Sequence, residues 1–128
     1  MTSIDLQTIR EELEQLLRTH GFEPNALVLV PSVQRWAHEH GLPENNALRQ
    51  ATAFPTQGRI VMASSLSEMD ARSSSSILRI GPEAHERLAR DLRLYARFLL
   101  LHEIAHLRGS FTEEEADAWA IEQLDRSS

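Results

Sequence analysis

Apolar residues along the chain fall into stretches with helical and strand periods, and together they predict an α+β domain. Ile4, Leu6, Ile9, Leu13, Leu16 and Leu17 follow the helical period, so residues 3–20 are expected to form an amphipathic helix. Ser3 or Thr2 would cap its start, and Gly21 would take the position after its end. The run Ala26-Leu27-Val28-Leu29-Val30 is rich in β-branched residues and bounded by prolines, the pattern of a buried strand. Residues 32–40 predict a short helix capped by Ser32 and closed by Gly41, with Trp36 as a core anchor. Residues 48–54 and 59–64 predict a hairpin around Pro55-Thr56-Gln57-Gly58, giving a sheet of about three strands. In residues 64–76, seven of thirteen are serine. That composition predicts a mobile surface connector with one helical turn near 66–70; a lid over a site is the other reading.

Gly81-Pro82 opens a long helix, and Leu88, Leu92, Tyr95, Leu99 and His102 run up one face of it. Phe98, Leu99, Leu100, Leu101, Ile104, Ala105 and Leu107 make its later turns apolar on nearly every side, as in a buried helix. His102, Glu103 and His106 are the exceptions, and buried polar groups need partners. Arg108-Gly109 closes the helix with a cation and a C-terminal glycine. Thr112 and Glu115 have capping-box spacing and open a last helix from 113 to about 125. Glu113, Ala116, Asp117 and Ala120 share one of its faces, with Trp119, Ile121 and Leu124 as further apolar anchors. No internal repeat or composition break divides the chain, so residues 1–128 are expected to be a single domain.

Composition narrows the chemistry. The chain has no cysteine, so any metal must be held by His, Asp or Glu. The net charge is −6, and the thirteen basic residues, all arginine, are interleaved with acids. This argues against a nucleic-acid surface, which carries clustered positive charge. No apolar run approaches the roughly 20 residues of a membrane helix, and the N-terminus lacks the pattern of a secretory signal. A cytoplasmic protein is therefore expected. His38 and His40 lie two apart, on different helix faces, and read as surface histidines rather than a metal pair.

His102-Glu103-Ile104-Ala105-His106 is an H-E-x-x-H sequence. Residues four apart lie one turn apart on one helix face, so His102 and His106 can point at one ion. Glu103 sits one step round, where it can act on a water at that ion without ligating it. Zinc suits two imidazoles and a carboxylate. A catalytic zinc takes three protein ligands, and Glu113, in the first turn after the Gly109-Ser110 turn, is the candidate third. Glu114 and Glu115 compete for that role, although the capping box gives Glu115 another task. Asp117, one turn on from Glu113, is placed to accept a hydrogen bond from a ligating histidine.

H-E-x-x-H followed by E-x-x-A-D resembles the gluzincin zinc metallopeptidases, including the very small minigluzincins and the ImmA/IrrE-type regulatory proteases. The resemblance implies a small zincin-like domain with an active-site helix and a ligand helix. It implies Zn2+ on His102, His106 and Glu113, Asp117 supporting a histidine, and Glu103 as general base. It also implies a peptide or protein substrate, bound in extended form along the strand at 59–64 as a sheet edge. The spacer departs from the pattern, since only residues 107–112 separate His106 from Glu113, where many relatives insert long segments. No Tyr or His follows His106, so an oxyanion-stabilising group must come from upstream, with Tyr95, His85 or an arginine as candidates, or be missing. Two other readings stand beside peptide hydrolysis: a non-catalytic regulatory or interaction module whose zinc ties two helices together, and a metal-free core in which both histidines are structural.

Overall fold

The computed structural model describes residues 2–41, 50–55, 57–74, 80–109 and 112–126. Its architecture is α+β, with six α-helices and two small sheets among the described residues. The expected N-terminal helix is shorter than its periodicity. Ser3–Asp5 is a strand, β1, a 3-10 turn follows at Leu6–Ile9, and only Arg10–Thr19 is α-helical, α1. The cap is Asp5, not Ser3 or Thr2: its carboxylate accepts from the Gln7 amide at 3.0 Å, which leaves the preceding residues extended. Gly21, at φ +86°, closes α1, with the Phe22 amide reaching back to the Leu17 carbonyl.

Strand β2, Leu27–Val30, and helix α2, Val33–Glu39, form where expected, with Ser32 Oγ accepting from the Arg35 amide. The hairpin forms as strands β3, Ala51–Phe54, and β4, Arg59–Ala63, paired antiparallel. Residues 48 and 49 of the expected first strand lie outside the described residues. β2 joins the other side of β4 in parallel, so the sheet order is β2-β4-β3. The strand at 59–63 is thus central and paired along both edges, and cannot be the edge that accepts a substrate strand. Among the described residues, the sheet edges are β2 and β3.

The serine-rich segment is ordered where it is described, in contrast to the expected connector. Ser65–Ser67 forms β5 and pairs antiparallel with β1 in a second sheet, and Glu68–Ser73 forms helix α3. Ser67 and Asp70 make a reciprocal capping box, and Leu66 and Ala71 are fully buried. Two apolar anchors and one cap therefore outweigh the serine content. Residues 75 and 76 of that segment lie outside the described residues.

The expected long helix is two: α4, Pro82–Arg90, and α5, Leu92–Leu107. The break is at Asp91, whose carboxylate accepts from the Leu94 amide at 3.2 Å as the cap of α5. A short acidic side chain competes for nearby amides and so favours a helix start over a helix interior. α5 is the central element. It packs on β3 and β4 of one sheet, on β1 and β5 of the other, and on α1. Phe98, Leu100, Leu101 and Ile104 are fully buried in the core that results. The last helix, α6, Glu113–Arg126, lies along α5 with Ala116, Ala120 and Leu124 fully buried. The absence of side chain beyond Cβ at the two alanines lets the helices approach closely.

Candidate metal centre

The candidate site forms at the C-terminal end of α5, where α6 folds back on it. α5 ends at Arg108, whose amide bonds to the Ile104 and Ala105 carbonyls, and Gly109 at φ +106° turns the chain. α6 restarts at a capping box: the Glu115 amide donates to Thr112 Oγ1 at 3.1 Å, and the Thr112 amide donates to Glu115 Oε1 at 3.3 Å. Glu115 is therefore occupied with the cap. Glu113 enters the first turn facing α5.

His102, Glu103 and Asp117 are nearly sealed from solvent, at 3, 4 and 3% exposure, while His106 and Glu113 are partly exposed. His102 and His106 point their Nε2 atoms at each other, 3.2 Å apart. Glu113 Oε2 lies 2.6 Å from His102 Nε2 and 3.3 Å from His106 Nε2. These three residues form the one group of three or more such donors able to hold a metal among the described residues. An ion about 2.0–2.1 Å from three tetrahedrally placed donors holds them about 3.3 Å apart. Two of the three separations already have that value, and the third is shorter.

The protonation pattern points the same way. The Asp117 carboxylate sits 2.7 Å from His102 Nδ1, which donates its N–H to it. The His102 Nε2 then carries a lone pair, and it faces both a carboxylate oxygen and a second imidazole nitrogen. Electron-rich atoms converging in a buried place need a cation among them, either a proton or a metal ion. Burial pushes the His102 pKa down, but the Asp117 hydrogen bond and the charges of Glu103, Asp117 and Glu113 outweigh it, so the net direction is upward. The surrounding carboxylates favour positive charge on the His102 ring. Two imidazoles and a carboxylate, with an acidic residue behind one imidazole, fit zinc. Glu103 lies on the same turn, its Oε2 3.9 Å from His102 Nε2, outside the ligand triangle.

Every site residue expected from the sequence is therefore in one place: His102, Glu103, His106, Glu113 and Asp117. The two named helper candidates, Tyr95 and His85, are engaged elsewhere. Tyr95 is fully buried about 10 Å back along α5, at 1.5 Å rise per residue. Burial raises its hydroxyl pKa, opposed by a hydrogen bond with Ser74. The His85 Nε2 lies 3.1 Å from the Arg72 carbonyl on α3. Sequence reasoning missed Asp91, which starts the helix bearing both histidines, although Asp followed by a fresh apolar run is a recognisable cap signal. Compared with known protein families, with curated proteins and with solved structures, the chain matches none.

Proposed function

We propose that the protein is a zinc-dependent metallopeptidase of the gluzincin type, built on a minimal zincin-like domain. The observation that carries this reading is the convergence of His102 Nε2, His106 Nε2 and Glu113 Oε2, each within 3.3 Å of the others, with Glu103 beside them. His102, His106 and Glu113 would hold the ion. Zinc in such a site supplies Lewis acidity, acidifying water and polarising a scissile carbonyl.

The chain's own residues supply the rest. Asp117 fixes the His102 ring and its tautomer, so that Nε2 rather than Nδ1 faces the ion. Glu103 is the proton carrier: its carboxylate takes a proton from the attacking water and delivers it to the departing amine nitrogen. Its burial favours that shuttle, because a carboxylate with few competing waters exchanges protons with the reacting groups. An extended peptide would add to β3, which is an edge strand and packs directly on α5.

The test is Glu103→Gln against wild type on a denatured-protein or peptide library. The variant should bind zinc as wild type does and cleave nothing. Equal cleavage by both preparations would assign the activity to a contaminant.

One observation favours a second reading, a non-catalytic regulatory or interaction module whose zinc ties α5 to α6. Tyr95, the sole tyrosine, is in the core, leaving the oxyanion without a tyrosine donor. Zinc binding with no cleavage by wild type on any substrate would favour that reading.

A further inference from the structure

We propose that Trp119, held between His20 and Arg108, is the positioning residue that sets the rotation of α6 and so places Glu113 at the metal; the proposal rests on the metal reading above. Trp119 lies on the flank of α6, away from the line of Glu113, Asp117, Ala120 and Leu124 that faces α5. Its ring and the His20 imidazole at the end of α1 meet edge to face, with centroids 5.1 Å apart and planes at 65°. Arg108 places its guanidinium 5.3 Å from the indole centroid. Burial, and then the Arg108 charge, hold the His20 pKa below its ordinary value, so it meets the indole as a neutral ring.

The geometry explains why a brace is needed there. An atom about 6 Å from a helix axis moves about 1 Å for every 10° of rotation, and a functional constellation tolerates only about 0.5 Å. Ala116 and Ala120 let α6 approach α5 but resist rotation weakly, and the Asp117–His102 hydrogen bond and the buried Leu124 hold only the face that meets α5, leaving the flank to Trp119. The Thr112–Glu115 cap orders the first turn of α6 without tying it to α5. The Arg87–Asp125 ion pair holds the other, solvent-exposed end of the helix. His20 also lines a groove of about 440 Å³, together with Leu16 and Thr19 of α1 and Gln123 and Arg126 of α6. Arg108 makes the linkage direct: it is two residues from His106, its amide is fixed to α5, and its side chain grips the helix that carries Glu113.

The experiment compares wild type, Trp119→Leu, Arg108→Gln and the double variant in the full chain. Zinc affinity is read by chelator competition, and the cobalt-substituted protein by its visible d–d absorption. Trp119→Leu should weaken zinc binding by about tenfold or more, the size of effect typical of residues that orient metal ligands, and should alter the cobalt band. Arg108→Gln should give a smaller loss in the same direction, with little further loss in the double variant. A lower melting temperature with zinc affinity and cobalt spectrum unchanged would overturn the proposal, because that is the signature of packing alone. If Trp119→Leu does not fold, the exposed Arg108→Gln decides by the same two readouts. If wild type itself binds neither zinc nor cobalt, the metal reading fails and this proposal with it; if wild type binds and the variants match it, this proposal alone fails.

Discussion

Asp117→Asn changes one atom in the centre of the site. It removes the charge from the group that accepts from His102 Nδ1 at 2.7 Å, and both side chains are buried. A hydrogen bond to a charged group is worth about 1.5–3 kcal/mol and a neutral one about 1 kcal/mol, so the substitution removes about 1–2 kcal/mol of support for the correct His102 tautomer. At 1.4 kcal/mol per decade this is a roughly 5- to 30-fold rise in the zinc dissociation constant. The amide keeps nearly the same volume, so no cavity opens. Its NH2 group can also face the ring, which favours the wrong tautomer. The assay is competition with a chromophoric chelator, run beside thermal unfolding in excess EDTA to separate metal affinity from folding. An Asn variant whose affinity lies within twofold of wild type would refute the role given to Asp117. It would leave the ligand assignment intact if Glu113→Ala still weakens binding.

Three other outcomes are expected. Asp91→Ala removes the cap of α5 and should cost about 1 kcal/mol of stability, a drop of a few degrees in melting temperature, with zinc affinity unchanged. Ala120→Leu forces a larger side chain into the α5–α6 contact and should cost about 1–3 kcal/mol and weaken zinc binding as well; a stable variant with native affinity would show that the helices are not closely apposed there. The pH dependence should differ in sign between the two forms. In metal-free protein the folded His102 pKa lies above 6.5, so its contribution to stability is complete below pH 6.5 and is lost as pH rises through the higher folded value. Zinc requires the deprotonated ring, so the zinc-induced rise in melting temperature should grow over the range in which the metal-free form loses that contribution. A zinc shift independent of pH would argue against imidazole ligands.

The site was more legible in the sequence than the fold around it. His102, Glu103 and His106 sit at fixed helical spacings, and Thr112–Glu115 announces the start of the helix carrying Glu113 and Asp117, so local rules suffice to bring the five together. Features that depend on distant pairing were not legible. Ser3–Asp5 carries helical spacing but is extended, because it pairs with Ser65–Ser67 some 60 residues away. The same pairing orders a serine-rich segment that composition reads as a connector. Strand order is also non-local: nothing in residues 59–63 distinguishes a central strand from an edge, and it is the parallel partner Leu27–Val30 that makes this one central. Asp91 is the opposite case, a local signal masked by continuous apolar periodicity on both sides.

Zinc held by His102, His106 and Glu113 would be visible in an anomalous difference map collected at the zinc edge. The crystals should come from protein purified without added metal. One strong peak is expected about 2.0–2.2 Å from His102 Nε2, His106 Nε2 and a Glu113 carboxylate oxygen. No peak there, with the two imidazoles and the carboxylate hydrogen-bonded to one another through protons, would contradict it.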